Sequence, residues 1–297
     1  MTLLCPKEKI AKLLLSTDGS EFSEGAVRET INLAKACASK VLALTVVESN
    51  PEYEALAPQL IEKAEKNARQ HLESIKSRAS KEGVDCELII RQGEDPYKYI
   101  AEEAEKNKAD MIIMGRRGRT GLKRLMMGSE TARVIGHASC NVLVVPRAAR
   151  LELRNILTAT DGSKFSDAAA SEAICIAKRT GSRLIAVSAV PSESISPMDI
   201  THAQMQKDLI SQKEFETAEN DVKAVKKIAE EEGVKVEGLI LSGMPYEAIV
   251  ETAKEKRADI IVIGSHGRTG LARLLMGSVA ERVIGHADCA VLVVKIK

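Results

Sequence analysis

The chain carries two copies of one long motif. "ADMIIMGRRGRTGLKRLMMGSETARVIGHASCNVLVV" (Ala109 to Val145) aligns without a gap with "ADIIVIGSHGRTGLARLLMGSVAERVIGHADCAVLVV" (Ala258 to Val294), and about two thirds of the paired positions are identical. A second pair of landmarks is "STDGS" around Asp18 and "ATDGS" around Asp161. Gly115 and Gly264 lie 149 residues apart, but Asp18 and Asp161 only 143, so the second copy gains six residues net. The Ser- and Pro-rich "VPSESISPMDI" is the expected place for them. A period of this size is too long for a solenoid repeat and right for a domain. The 297 residues therefore divide into two domains, 1–148 and 149–297, with the boundary in "PRAARLEL" (Pro146 to Leu153).

Within a copy, short apolar runs alternate with segments of helical spacing. "AKLLLST", "KVLALTVV", "DCELIIRQG", "ADMIIMG" and "NVLVVP" read as five strands, several of them continuously apolar, as strands covered on both faces should be. Between them, "SEGAVRETINLAKACA" reads as a helix, and a long charged helix runs from about Ala55 to Lys81, with Gly83 as its left-handed cap. "PYKYIAEEAEKN" opens on Pro, as helices often do, and a helix from Ser129 to His137 precedes the fifth strand. Strict strand–helix alternation predicts an α/β fold, with a parallel sheet, right-handed crossovers and helices on both faces.

The glycines of "GRRGRTGLKRLMMGS" fit neither G-x-x-x-x-G-K-[ST] nor G-x-G-x-x-G. They follow the fourth strand and run into the next helix, the place where an open α/β sheet binds ligands. Gly115 and Gly118 would let the backbone turn and approach a ligand, and Gly128 with Ser129 would open the helix toward an anion. Gly264, Gly267, Gly277 and Ser278 repeat the pattern. Arg116-Arg117 stands where the second copy has Ser265-His266, two added charges expected to favour a longer phosphate chain.

G-x2-G-x9-G-[ST] after a fourth strand, with Asp closing the first, resembles the universal stress protein family, in particular its ATP-binding branch. "VIGHASCNVLVV" and "MPYEAIVETAKE" resemble the family's closing helix and strand and its third helix. The resemblance implies two tandem Rossmann-like domains, each a five-stranded parallel sheet of order 3-2-1-4-5, with nucleotide between the first and fourth strands. It places Asp18 near the adenine-ribose end, Val46 near the base, and Gly115, Arg117, Gly118, Gly128 and Ser129 around the phosphates. Asp161, Ala189, Gly264, His266, Gly267, Gly277 and Ser278 would do the same in the second copy. The implied ligand is ATP or AMP, with Mg2+ on the phosphates.

Composition excludes several other classes. Net charge is +1 and aromatics make up 2% with no Trp, which argues against a nucleic-acid partner. The longest apolar runs fall far short of the ~20 residues that cross a bilayer. Six cysteines without a C-x-x-C pair read as buried thiols, and the chain reads as cytoplasmic. His137 and His286 sit on a helix leading away from the loop, and His71 and His202 stand alone. No nucleophile, Walker lysine or carboxylate pair completes a catalytic set. The expected function is a nucleotide-binding stress sensor, the alternatives being a slow ATPase or an interaction scaffold. The apolar fifth strands are expected to pair antiparallel between the copies, an intramolecular version of a dimer, with a homodimer of whole chains compatible.

Overall fold

The computed structural model describes residues 10–118, 127–190, 200–268 and 276–296, with side chains left out for Tyr53 and for 200–211. The shared run 119–122, its counterpart from 269 onward, and the inserted 191–199 stretch lie outside the described residues.

The first copy comprises β1 (Lys12–Ser16), a 3-10 turn (Glu21–Ser23), α1 (Glu24–Cys37), β2 (Lys40–Glu48), α2 (Pro51–Leu56), α3 (Pro58–Lys81), β3 (Cys86–Gly93), α4 (Pro96–Lys106), β4 (Met111–Gly115), α5 (Ser129–His137) and β5 (Asn141–Val145). The second comprises β6 (Asn155–Ala159), α6 (Lys164–Thr180), β7 (Arg183–Val190), α7 (Ile200–Glu231), β8 (Val236–Ser242), α8 (Pro245–Glu255), β9 (Ile260–Gly264), α9 (Ser278–His286) and β10 (Ala290–Val294). The helix expected from Ala55 to Lys81 is broken into α2 and α3. Pro58 is the cause: it has no N–H to donate, and it pushes Ala57 out of the helical region to φ −143°, ψ 52°.

The strands form one ten-stranded sheet of order β3-β2-β1-β4-β5-β10-β9-β6-β7-β8. Each copy thus has the order 3-2-1-4-5, parallel throughout. The copies join where β5 meets β10 antiparallel, with Leu143 opposite Leu292 and Val144 opposite Val291. These four side chains are buried, so the seam is continuous core rather than a sheet edge. The apolar strand runs are explained by helices on both faces. Leu13 and Leu15 point into the core under α1 and α3, and Leu14 into the opposite core under α4 and α5. Helices α3 and α7 present the same buried spacing to the sheet, Ala68, Leu72, Ile75 and Ala79 against Ala218, Val222, Val225 and Ala229. That match sets the register of the two helices: His71 corresponds to Asp221.

The connection between the copies is packed onto α1. Arg28 donates to the carbonyls of Arg147 and Ala149, and the buried Glu29 accepts from Leu151 N at 3.4 Å. Burial pushes the Glu29 carboxyl above its ordinary range, partly offset by bonds from Asn32 and Leu151. Cys37 is disulfide-bonded, which corrects the reading of the cysteines as thiols. Cys86, Cys140, Cys175 and Cys289 are free, and burial pushes the Cys289 thiol up to about 12. Among the described residues, no helix is long and apolar enough to cross a membrane.

Candidate functional site

In each copy the first and fourth strands lie side by side, so the turn after the first meets the glycine loop after the fourth. The turn is built by buried hydroxyls. Thr17 Oγ1 accepts from Gly19 N at 3.2 Å and lies 2.9 Å from Ser23 Oγ, while Ser20 N and Ser20 Oγ both donate to Asp18 Oδ1. The second copy repeats this: Thr160 Oγ1 accepts from Gly162 N at 3.3 Å, and Ser163 N donates to Asp161 Oδ1 at 3.1 Å. One carboxylate oxygen is thereby fixed in the turn and the other is turned toward the loop. A Cβ added to Gly118 would lie 3.0 Å from Asp18 Oδ2, and one added to Gly267 would lie 2.7 Å from Asp161 Oδ2. The pairs expected from the sequence, Asp18 with Gly118 and Asp161 with Gly267, are therefore in contact. The space denied to a side chain there is held by the carboxylate.

The other glycines have different reasons. Gly115 and Gly264 close their strands against backbone: an added Cβ would lie 2.9 Å from Phe22 O in one copy and 2.6 Å from Phe165 O in the other. Gly128 N donates to Arg116 O at 2.9 Å and Gly277 N to Ser265 O at 2.9 Å, so these N–H groups close the loop and are not available to an anion. Gly128 and Gly277 are the N-caps of α5 and α9, and neither cap makes a side-chain bond. Ser129 and Ser278 are the first helical residues, which leaves their hydroxyls uncommitted to capping. Val46 and Ala189 are half-buried near the ends of β2 and β7. Val46 packs its side chain against the core under α4 and α5, which leaves its backbone to any ligand at the sheet's carboxyl edge.

The expectation that both arginines of Arg116-Arg117 face phosphate is overturned for Arg116. Its guanidinium crosses to the other copy and donates to Gly285 O at 3.1 Å and Ala287 O at 2.8 Å, at the C-terminal end of α9. Helix C-termini present unpaired carbonyls and a negative dipole end, so a cation is a fitting cap. Lys295 performs the reciprocal task, donating Nζ to Ile135 O at 2.7 Å near the end of α5, and burial holds its amine below the usual range. Arg117 is half-buried, and its Nε is buried with no hydrogen-bond partner. Its counterpart His266 packs on Phe165, ring centroids 5.1 Å apart, with Nδ1 3.1 Å from Ser265 Oγ.

Two residues that no motif marked complete the corner. In the first copy His71 of α3 reaches the turn, with Nε2 3.0 Å from Thr17 Oγ1. In the second, the matching residue of α7 is Asp221, whose Oδ2 accepts from Arg268 at 2.5 Å. Arg268 also donates its backbone N to Asp161 Oδ2 at 2.9 Å and its Nε to Asp161 O. Burial alone would raise the Asp161 carboxyl, but bonds from Ser163, Arg268 and Ser166 together hold it below the ordinary aspartate range. Asp221 moves the other way. Burial raises it, Arg268 opposes, and the neighbouring Asp161 adds to the rise. Aligning α3 with α7 by their buried spacing is the one sequence signal that could have paired His71 with Asp221.

A parallel α/β sheet with paired carboxylate and glycine loop at its switch point, built twice in one chain, defines a tandem Rossmann-like ligand-binding protein. The universal stress protein family model matches residues 9–146 and again 152–295, and the chain belongs to that family. A universal stress protein of Methanocaldococcus jannaschii is 46% identical over 142 residues, 48% of this chain and 82% of that protein. The solved structure of a universal stress protein from Archaeoglobus fulgidus matches both copies together, with TM-score 0.74 and 23% identity over 98% of each chain. A Pseudomonas aeruginosa protein of unknown function shares the same architecture at TM-score 0.66 and 18% identity, over 96% of this chain and 92% of that one.

Proposed function

We propose that the chain is an adenine-nucleotide-binding regulatory protein of the stress response, with one site per copy at the carboxyl edge between the first and fourth strands. The observation that carries this reading is the contact of Asp18 with Gly118, repeated as Asp161 with Gly267. It puts a carboxylate able to accept from a ribose or base beside a loop whose following helix supplies a positive dipole end. The base would rest near Val46 and Ala189, and the phosphates between the glycine loop and Ser129 or Ser278. Arg117 offers a half-buried cation to the phosphates in the first copy, and His266 a neutral or cationic donor in the second. Mg2+, where present, would ride on the phosphates, since no group of three or more His, Cys, Asp or Glu side chains among the described residues is arranged to hold a metal.

A sensor or store of nucleotide is favoured over rapid turnover because the carboxylates at the loop, Asp18 and Asp161, are committed to turn hydrogen bonds on one oxygen. The test is mass analysis of small molecules released from protein purified without added ligand, followed by melting curves with adenine and guanine nucleotides. Bound adenine nucleotide with a rise of several degrees is expected. An empty protein with no thermal response leaves the scaffold reading, and turnover above ~1 s⁻¹ makes the chain an ordinary ATPase.

A further inference from the structure

We infer that Asp221 and Arg268 decide which of the two sites takes nucleotide: together they latch the second site, so that the first is filled in preference. The inference rests on the nucleotide reading above and adds an order of occupancy to it.

Three contacts make the latch, and they come from three separate elements. Arg268 lies directly after Gly267 in the loop following β9. Its backbone N–H takes the loop-facing oxygen of Asp161, and its Nε takes the Asp161 carbonyl. The far end of its guanidinium is anchored 2.5 Å from Asp221 on α7. Asp221 itself is pressed over the turn after β6: a Cβ on Gly162, which sits at φ +71°, would lie 2.5 Å from its Oδ1. A positive φ of this kind favours glycine in any case, and here the carboxylate also needs the room. The result is that both oxygens of Asp161 have donors from this chain. A ribose hydroxyl or base amine has to displace Arg268 before it can reach the outer one.

The first copy lacks the anchor. At the position of Asp221 it has His71, and that ring is turned to Thr17 Oγ1 at 3.0 Å. An imidazole bonded to a threonine hydroxyl offers no carboxylate to a guanidinium, so an arginine of the first loop cannot be held across the turn in the same way. The difference lies outside the glycine motif, which the two copies share. It also lies in side chains that the fold does not require, because position 71 or 221 is only partly buried and the core residues around it are matched.

Breaking one charge-assisted hydrogen bond before binding reduces affinity by about tenfold or more. The full-length protein labelled with 8-azido-ATP, with the labelled peptides mapped to residues, reads each site separately. Wild type is expected to carry most label in the first copy at low probe concentration. Asp221→His, which installs the first copy's residue, is expected to bring second-copy label to within a few-fold of the first. Arg268→Ala should act in the same direction and serves if the first variant folds poorly. Equal label in both copies of the wild type overturns the inference while leaving the nucleotide reading intact. A fall of second-copy label in Arg268→Ala also overturns it, because Arg268 would then be a ligand-binding group. Absence of label from both copies, in wild type and variants alike, sinks the nucleotide reading and this inference with it.

Discussion

At the end of β1 the first copy sets His71 against Thr17, whereas at the end of β6 the second sets Asp221 against Gly162 and Arg268. The same two copies differ at the seam: Arg116 crosses to cap α9, while its counterpart Ser265 stays within its own loop against His266. Strand order, glycine spacing and helix positions are nevertheless common to both. Duplication has preserved what the sheet and its loop backbone need. The copies have diverged in the side chains that reach into that backbone from neighbouring helices and from the other copy. Motif identity therefore does not make the two sites equivalent.

The largest effect should come from the strand-closing glycines, and it should be unequal. Gly264→Ala places its Cβ 2.6 Å from a backbone carbonyl oxygen, against 2.9 Å for Gly115→Ala. Backbone cannot swing aside as a side chain can, so a loss of about 3 kcal/mol is expected for the former and about 1–2 for the latter. Urea unfolding of the two variants measures the difference. Equal losses would show that the corners relax alike.

Next is the ligand response. Nucleotide at a hundredfold excess over its dissociation constant stabilises the folded state by about 2.7 kcal/mol. Gly118→Val should push Asp18 out of place and remove most of that gain, and Gly267→Val should remove little until probe concentrations are high. Melting curves with ATP resolve this, and the double variant should respond to no adenine nucleotide. The reverse ranking would make the second copy the tighter site.

Arg116→Ser gives the first loop the second loop's residue. It removes two bonds to the end of α9 but also relieves the burial of a guanidinium, so a net cost of about 1 kcal/mol is expected. The gain in affinity from AMP to ATP should not change. A reduced gain by calorimetry would return Arg116 to the phosphates.

The smallest effect is on acid stability. Asp161 titrates below its unfolded value of ~3.9, so its charged form favours the folded state. That contribution is fully present above the unfolded value and is lost as pH falls through the folded one. Between about pH 4 and pH 2, wild type should therefore lose more stability than Asp161→Asn. Parallel melting-temperature profiles over that range would show that the turn and Arg268 do not favour the carboxylate.

Much of the architecture was legible because it depends on periodic burial. Continuous apolar strands, amphipathic helices and the internal repeat are all properties of neighbouring residues. They led to the α/β class, to the glycine loop beside Asp18 and to the antiparallel seam of β5 with β10. The break at Pro58 was visible in principle, since a proline dictates its own backbone angle and its neighbour's. It was overridden by the helical spacing on either side.

The roles of individual polar groups were not legible, because they depend on which distant backbone atoms come within about 3 Å. Two arginines beside glycines suggest phosphate, yet Arg116 finds the carbonyls of Gly285 and Ala287, more than 160 residues away in sequence. Gly128 looks like an anion-binding N–H, yet its proton goes to Arg116 O. His71 and Asp221 carry no motif at all, and acquire their place only when α3 and α7 pack beside the first strand of each copy. By itself the sequence determined the repeat, the layered sheet and the corner where a ligand would sit, since these follow from local spacing of apolar residues and glycines. Only the tertiary structure decided which donors meet which acceptors, because hydrogen bonds are short and directional while the chain that brings them together is long.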